Sequence, residues 1–335
     1  MTAAFEFGGK KIKIGGTGKI SPSGSDIQFS NATGTTKILL TFETGSSITF
    51  DGFINTGSDH YGGAIFSSGG VEISGTSTFL NNSVNQRGGA ICSFGDVKIS
   101  DTSTFLNNKE NGSNGGGAIY GNNVEISGTS TFSNNSANNH GGAIFGYSDV
   151  KISGTSTFSN NAANSGNGGA ICGYGYGDVE ISGISTFSNN SANSGGAIYS
   201  SGNVKISGTS TFLNNSASNN GGAIYSQGDV TITANAGDIL FSGNKKAGST
   251  PNAIYVNNTA SDKTLSLSAT NGNSILFYDP IASNSYNNLT IKINESGETG
   301  TVLFDMSNNG ANRTSDIYGS TTVYNGTLAL KGEAV

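Results

Sequence analysis

Four aspartates occupy one recurring position of a repeated motif, the turn just before a Val-x-Ile segment: Asp96, Asp149, Asp178 and Asp229. Asp149 and Asp178 fall in adjacent copies of the motif. Paired carboxylates about 5 Å apart suit a retaining glycoside hydrolase, and together with carbonyl oxygens they could bind calcium. The spacing therefore raises the possibility of catalysis or metal binding at this turn.

The same position also accepts residues without a carboxylate. Gly70, Asn123 and Asn203 replace the aspartate in other copies, and this is the range of residues that turns prefer. We therefore predict that the chain is not an enzyme and that it holds no metal and no cofactor. A β-helical polysaccharide lyase or glycoside hydrolase is the alternative, because such folds also host these enzymes.

Two cysteines and two histidines are the remaining candidates for chemistry. Cys92 and Cys172 occupy equivalent positions three copies of the motif apart, about 14 Å at the spacing of stacked strands. A disulfide needs Cα atoms within about 7 Å, so we expect free thiols. His60 and His140 are also three copies apart and cannot share a metal site.

These residues are positioned by a unit that the chain repeats. The tetrapeptide GGAI begins at Gly62, Gly88, Gly116, Gly141, Gly168, Gly195 and Gly221. The pattern FxxN keeps step with it at Phe79, Phe105, Phe132, Phe158, Phe187, Phe212 and Phe241. The period of 25 to 28 residues indicates stacked repeats, in which each unit buries its apolar face against its neighbours.

The unit contains three short β-like segments, at 197–199, 204–206 and 210–212 in its clearest copy. Side chains alternate between the two faces of a strand. Four side chains of these segments are therefore predicted to face inward: Ile198, Val204, Ile206 and Phe212. Three others face outward: Tyr199, Lys205 and Thr211. The pattern predicts an all-β fold, a right-handed single-stranded parallel β-helix with three short strands per coil and about eleven coils.

One outward position of the second segment alternates in charge along the chain. It carries Glu72, Lys98, Glu125, Lys151, Glu180 and Lys205 in successive copies. Equivalent residues of stacked parallel coils lie about 4.8 Å apart, where like charges repel. The alternation therefore predicts an in-register stack in which every charged neighbour is opposite in sign.

The motif also divides the chain into three parts of one continuous domain. Residues 1–61 are predicted to form irregular N-terminal coils, residues 62–250 the seven regular coils, and residues 251–335 degenerate C-terminal coils. No apolar run reaches the length of a membrane-crossing helix. The N-terminus lacks the apolar core of a secretory signal, so we expect any export signal to lie outside this sequence.

The composition restricts the partners of the chain. Charged residues make up only 11% of it, and the formal net charge is −6. A nucleic-acid-binding surface would need a basic stripe. We therefore expect no nucleic-acid partner.

The most regular positions of the motif have a structural interpretation. Paired glycines, as in Gly195 and Gly196, allow a sharp turn where stacked backbones approach closely. Phe212 and its equivalents would form an internal aromatic stack. Asparagine pairs such as Asn214 and Asn215 would form amide ladders along the stack. We expect all of these residues to hold the scaffold.

The better binding candidate is an outward row of side chains after GGAI, which we name the aromatic stripe. It contains Phe66, Cys92, Tyr120, Phe145, Cys172, Tyr199 and Tyr225. Contiguous exposed apolar surface marks interaction sites, and aromatic residues dominate binding hot spots. We therefore predict that the stripe is exposed and that its aromatic members contact a partner. The alternative is that a loop or the C-terminal tail covers the stripe, or that its facing is inverted.

The tandem of GGAI and FxxN tetrapeptides resembles the passenger domain of the chlamydial polymorphic outer-membrane proteins, a family of autotransporters. Residues 277–281 and 325–330 also resemble the segment that follows the repeats in such passengers. The resemblance implies secretion through a C-terminal β-barrel, which this sequence does not contain. The repeats here are also more uniform than is usual in that family.

The resemblance further implies an adhesin displayed on the outer face of the bacterial outer membrane or released to the medium. Its partner would be a host-surface protein or glycan. Apart from the resemblance, the flat aromatic stripe could pair rods side by side, which would be self-association. The protein would be attached to the membrane only through the barrel, which this sequence does not contain. A surface spacer that binds nothing is an alternative, beside the enzyme considered above.

Overall fold

The chain forms a parallel β-helix of about ten turns enclosed by three parallel sheets. The computed structural model describes residues 4–6, 11–14, 17–20, 28–31, 38–42, 47–56, 61–307 and 315–332, with side chains described from residue 47 onward. These ranges contain no helix and therefore no helix that could cross a membrane. The predicted all-β parallel coil is thus confirmed, with about ten turns instead of eleven.

Sheet 1 is built from the segment that follows the paired glycines, with one strand per coil. Its described strands are Ala4–Glu6, Gln28–Asn31, Ile65–Ser67, Ile91–Ser93, Ile119–Gly121, Ile144–Gly146, Ile171–Gly173, Ile198–Ser200, Ile224–Ser226, Ile254–Val256 and Ile281–Ser283. The isoleucine of each regular coil points into the core, and the next residue belongs to the aromatic stripe. Sheet 1 therefore positions the stripe.

Sheet 2 is the widest face and takes two segments of each coil. Its strands are Lys11–Ile14, Thr17–Ile20, Ile38–Phe42, Ser47–Asp51, Val71–Ser74, Thr76–Leu80, Val97–Leu106, Val124–Ser133, Val150–Ser159, Val179–Ser188, Val204–Ser207, Thr209–Leu213, Val230–Ala234, Ile239–Ser242, Lys263–Ala269, Ser274–Phe277, Leu289–Ile293, Thr301–Asp305, Gly319–Val323 and Thr327–Lys331. The second and third predicted segments thus share one sheet. In four coils they merge into a single strand of ten residues.

Sheet 3 closes the coil with strands of only two residues. They are Ile54–Asn55, Ser83–Val84, Lys109–Glu110, Ser136–Ala137, Ala162–Ala163, Ser191–Ala192, Ser216–Ala217, Lys245–Lys246 and Thr250–Pro251. The predicted segment at 210–212 is indeed a strand, within Thr209–Leu213, but it shares sheet 2 with the second segment, and the strands of sheet 3 were not predicted. A two-residue strand is too short to show alternation or a β-branched run, so nothing in the pattern marks it.

The coils stack in register, and the charge alternation follows from that register. Lys98 lies beside Glu72 on one side and Glu125 on the other. Its Nζ is 3.1 Å from a carboxylate oxygen of Glu125, and this hydrogen bond raises the pKa of Lys98. Lys205 and Glu180 form the same contact at 3.2 Å. Both pairs are solvent-exposed, so they favour the register more than they add stability.

The core contains a continuous stack of phenylalanine rings along the helix axis. Successive ring centroids lie 4.7–4.9 Å apart, with interplanar angles from 1° to 13°. The stack comprises Phe50, Phe79, Phe105, Phe132, Phe158, Phe187, Phe212, Phe241, Phe277 and Phe304. The FxxN phenylalanine therefore fills the interior of every regular coil, and Phe212 lies in the middle of the row.

The asparagine pair after each phenylalanine divides into two roles. The first member, such as Asn214 with φ 55°, takes the left-handed conformation that turns the chain from sheet 2 to sheet 3. The second member, such as Asn215, is buried. Its Nδ2 donates to Oδ1 of Asn244 at 2.9 Å and to the carbonyl of Phe187 at 2.9 Å. These bonds satisfy the buried amide completely on its donor side.

The same bonds repeat from coil to coil and give the amide ladder a direction. Its members are Asn82, Asn108, Asn135, Asn161, Asn190, Asn215 and Asn244. Each donates to the member that follows it in the chain. The final acceptor is Asp279, whose Oδ2 receives the Nδ2–H and the backbone N–H of Asn244 at 2.9 and 2.8 Å. A carboxylate suits this end because it needs no further acceptor of its own.

We expect Phe158→Ala to lower the free energy of unfolding by about 3–5 kcal/mol. The ring is fully buried and stacks on a neighbour at each side, at 4.8 and 4.9 Å. Its removal leaves a cavity between two rigid coils. Urea denaturation measures the effect, with the exposed Thr155→Ala as a control that should change little. A loss below about 1 kcal/mol for Phe158→Ala would contradict the buried stack.

We expect Asp279→Asn to change how stability depends on pH. Burial raises the pKa of Asp279 above its ordinary value of 3.8, although hydrogen bonds from Asn244 and Gly243 oppose the shift. A raised pKa means that the stabilising contribution is complete below pH 3.8 and is lost as the pH rises through the folded-state pKa. The wild type should therefore lose stability relative to the variant across that window. Unfolding free energies of both proteins, measured from acid to neutral pH, test this, and a constant difference would refute it.

Candidate functional site

The paired glycines form the corner that leads into sheet 1. Gly195 has φ 64°, and a Cβ at this position would collide with the carbonyl oxygen of Ile198. A Cβ on Gly196 would collide with the carbonyl of Gly222 in the next coil. Both positions therefore require glycine, the first for its conformation and the second for close stacking. The corner brings the chain to the stripe in the same orientation in every regular coil.

The aromatic stripe lies outside the main core, where sheet 1 faces away from the helix axis. Its members form a second apolar cluster that contains Phe66, Cys92, Tyr120, Phe145, Cys172 and Tyr199, with Tyr225 packed against it. The first six are at most 8% exposed, and Tyr225 is partly buried. The predicted exposure of the stripe is therefore wrong. Its direct contact with a partner stays a prediction.

Side chains from the turns on both sides cover the stripe. At its N-terminal end, Tyr61 packs on Phe66 with ring centroids 5.3 Å apart, and Phe94 meets the same ring edge-on at 5.3 Å. The guanidinium carbon of Arg87 lies 5.0 Å from the centroid of Tyr120. Turns that carry large side chains thus convert an outward row into a buried layer.

The middle of the stripe is covered in a similar way. The rings of His140 and Tyr174 lie 6.2 and 5.6 Å from that of Phe145. His140 Nδ1 accepts the backbone N–H of Asn167 at 3.0 Å, and burial lowers the pKa of the imidazole. Both observations favour a neutral histidine that serves as packing and as a hydrogen-bond acceptor.

At the C-terminal end, the tyrosines of the stripe stack on one another. Tyr199 and Tyr225 lie 5.1 Å apart, and Tyr225 stacks in turn on Tyr255 at 5.4 Å. Gln227 donates to the hydroxyl of Tyr199 at 2.9 Å. Burial raises the pKa of Tyr225 to about 12, so the hydroxyls stay protonated at neutral pH. This part of the stripe is a layer of stacked phenols.

The covering layer itself presents exposed rings, which we name the aromatic ledge: Phe94, Tyr147, Tyr174 and Tyr176. Their exposed fractions are 43%, 52%, 42% and 90%. The first three follow a stripe residue by two positions, and their backbone N–H groups donate across coils to Ser67, Gly121 and Gly146 at 2.9 Å. The stacking of the coils therefore fixes the ledge as firmly as the sheet below it.

Tyr176 is the most exposed ring and has an uncommon backbone conformation. Its φ is 72°, a value that bulky residues seldom adopt and that costs about 1–3 kcal/mol. It lies between Gly175 and Gly177 in a turn closed by a bond from Gly177 N–H to the carbonyl of Tyr174 at 2.9 Å. This turn belongs to a single coil, so the repeat pattern gave no signal for it.

The aspartates of the recurring turn are engaged in backbone hydrogen bonds. Asp149 Oδ1 accepts the N–H of Asp178 at 3.1 Å, and Asp178 Oδ1 accepts the N–H of Asn203 at 2.6 Å. Asn123 and Asn203 make the equivalent bonds in their own coils. Carboxylate and amide oxygens therefore both accept a backbone N–H from the next coil, as expected of a turn residue.

The groove beside these turns has a volume of about 240 Å³ and is lined by Asp96, Asn123, Asp149 and the charges of the Lys98, Glu125 and Lys151 row. Among the described residues, no group of three or more His, Cys, Asp or Glu side chains is arranged to bind a metal ion. The two cysteines belong to the stripe and are both free and buried. His60 lies outside the described residues.

Together, the in-register coils, the buried phenylalanine and asparagine ladders and the aromatic edge define a parallel β-helical repeat protein. The repeat of the Chlamydia polymorphic membrane proteins matches five segments of it, at residues 76–93, 129–147, 155–174, 184–201 and 209–227. Each segment runs from the second part of sheet 2 through sheet 3 to sheet 1 or just beyond it. The chain thus carries Chlamydia polymorphic membrane protein repeats.

A curated relative supports the same assignment. The chain is 40% identical over 119 residues to the probable outer membrane protein pmp8 of Chlamydia pneumoniae, a match that covers 30% of this chain and 13% of that protein. This chain is therefore a distant homologue of that protein and spans a small part of its length. Neither match is to an enzyme. No solved structure matches the chain significantly.

We expect Cys92 and Cys172 to resist thiol reagents in the folded protein. Both side chains are completely buried, and burial raises the pKa of each thiol far above its ordinary value. The reactive thiolate is therefore scarce and inaccessible. Iodoacetamide labelling followed by mass spectrometry should modify neither cysteine until denaturant is added. A Thr155→Cys variant, exposed on sheet 2, is the positive control, and prompt native labelling of the two cysteines would contradict the buried stripe.

Proposed function

We propose that this chain is part of a surface-displayed adhesin, an autotransporter passenger that binds a host-surface protein or glycan. The proposal is supported by its Chlamydia polymorphic membrane protein repeats and by its relation to a probable outer membrane protein. In this role the protein acts on the outer face of the bacterial outer membrane or after release from it. The β-helix serves as a rigid rod that holds the binding surface.

The observation that carries the proposal is the aromatic ledge. Four partly or fully exposed rings occur within a few coils on one edge of a chain whose other large apolar side chains in the regular coils are mostly buried. Tyr147 and Tyr174 lie in adjacent coils with ring centroids 6.3 Å apart. Aromatic rings supply large contact area with little loss of side-chain entropy. The strained backbone at Tyr176 also fits a binding role better than a purely structural one.

The buried stripe supports the ledge from below. Tyr174 packs on Phe145, and Phe94 packs on Phe66, so a ring that contacts a partner already has a fixed position. Pre-organised side chains lose less freedom on binding. Several such contacts along one rod act together, and linked contacts gain avidity of about 10²–10⁴. We therefore assign direct contact to the ledge and support to the stripe.

We expect replacement of the ledge rings by serine to reduce binding to host cells step by step. The variants are Phe94→Ser, Tyr147→Ser, Tyr174→Ser and Tyr176→Ser, singly and together, and the combined variant should bind at least about tenfold more weakly. Flow cytometry with labelled protein measures binding. Circular dichroism should stay unchanged, because the backbone bonds that hold these turns to the neighbouring coils do not involve the rings.

Tyr286→Ser and Tyr318→Ser are the matched controls. These tyrosines are 78% and 53% exposed and lie in the C-terminal coils, away from the ledge. Their variants should bind like the wild type. Full binding by the combined ledge variant would exclude the ledge as the contact surface. A wild type that shows no saturable binding to any host cell would favour the surface spacer instead.

A further inference from the structure

Arg87 is the one described arginine, and it lies at the edge of the ledge against three rings. Its guanidinium carbon is 5.0 Å from the centroid of Tyr120, 5.7 Å from that of Phe94 and 5.9 Å from that of Tyr61. Aromatic faces attract the cation and hold its plane in place. The guanidinium is thus positioned before any ligand arrives.

The hydrogen bonds of this guanidinium are largely unused within the described part of the chain. Nη2 makes one long bond, to Oδ1 of Asn114 at 3.4 Å. Nε is buried and has no acceptor. A guanidinium offers five N–H donors in a planar fork that matches a carboxylate. Nε is out of a ligand's reach, so the N–H groups of the two Nη atoms are the ones that can pair with an acidic group.

Several described lysines, unlike Arg87, are paired with a carboxylate. In the described residues, four lysines lie within 3.2 Å of a carboxylate oxygen: Lys98, Lys205, Lys292 and Lys331. No ion pair of Arg87 occurs among these residues. Some described lysines, such as Lys151, also lack an ion pair, and Arg87 differs from them by its contact with three aromatic rings.

The fold does not require a cation at this position. Arg87 directly precedes the paired glycines, and the equivalent residues of the other regular coils are Tyr61, Gly115, His140, Asn167, Ser194 and Asn220. Neutral side chains thus suffice at the position before the paired glycines, where the chain turns into sheet 1. The coil that follows Arg87 has the longest spacing between successive GGAI tetrapeptides, 28 residues from Gly88 to Gly116, and Asn114 lies in its last turn.

We propose that Arg87, Phe94 and Asn114 form a binding site for a saccharide that carries a single carboxylate. This inference rests on the proposed adhesin and names the ligand class at one end of its ledge. The carboxylate binds the free side of the Arg87 guanidinium. The apolar face of the sugar ring stacks on Phe94, which is 43% exposed beside the cation. Asn114 Oδ1 accepts only the long bond from Arg87 Nη2 at 3.4 Å and can accept a sugar hydroxyl as well.

Two features favour a sugar with one acidic group over other acidic ligands. Asn114 Nδ2 donates to Oε1 of Gln86 at 3.2 Å, so planar amides are clustered beside the cation and an exposed ring. Such groups suit hydroxyls and a C–H face more than a peptide side chain. A polyanion is disfavoured, because the negative net charge repels it and a single arginine offers one pairing group.

Isothermal titration calorimetry with sialyllactose and lactose tests the inference, because these two sugars differ by the carboxylated residue. The wild type should bind sialyllactose at least about tenfold more tightly than lactose, as expected of charge-assisted hydrogen bonds. Arg87→Gln should lose this preference. Arg87→Lys should keep only part of it, because an ammonium lacks the planar fork. Lys205→Gln removes a distant charge as the matched control and should bind like the wild type.

The alternatives give different results. Equal affinity for the two sugars, or a preference that survives in Arg87→Gln with unchanged circular dichroism, overturns the site. Tighter binding of a heparin oligosaccharide or a hexaglutamate peptide overturns the ligand class. Host-cell binding that depends on the ledge, without any preference for sialyllactose, leaves the adhesin standing and removes this inference. A preference for sialyllactose without cell binding keeps the site and removes the adhesin.

Discussion

Parallel pairing of each coil with the next, residue against equivalent residue, is the constraint on which the rest of this structure depends. The backbone bonds place every side chain about one strand spacing from its own counterpart. The same residue can therefore recur at a position in every coil only if it packs well against a copy of itself. Phenylalanine does so by ring stacking and asparagine by a directional amide bond, and both occupy the same position in coil after coil. Charge cannot do so, and the alternation of Glu125 with Lys98 and Lys151 is the consequence.

The same constraint explains why the proposed contact surface lies at the turns. Strand positions are restricted by the copy above and the copy below, whereas a turn can vary in length and composition without disturbing the register. The ledge rings, the Tyr176 turn and Arg87 all lie at such places. The turns then fold back over sheet 1 and bury the stripe. A uniform scaffold thus carries a surface that differs from coil to coil.

The similarity to polymorphic membrane proteins follows this division. The matched segments cover the FxxN corner, sheet 3, the paired glycines and sheet 1, which are the parts that the stack restricts. Arg87, Tyr147 and Tyr174 lie inside the matched segments, whereas Phe94, Asn114 and Tyr176 lie outside them. The repeat match therefore describes the rod and does not by itself identify a partner.

The sequence by itself determined the stacked parallel coil, its period, the inward Phe212 and Val204 and the register, because a two-residue alternation repeated in phase leaves one way to bury the apolar face. It could not show that Asn214 and Asn215 divide into a turn and a buried ladder, since identical residues differ there only in backbone conformation. It also missed sheet 3, whose two-residue strands are too short to alternate. Strand alternation predicted on which side of sheet 1 Tyr120 and Phe145 lie, but it could not predict which side chains cover them. Only the tertiary structure decided that, because the covering rings of Tyr61, Phe94 and Tyr174 come from turns whose direction depends on the coils around them.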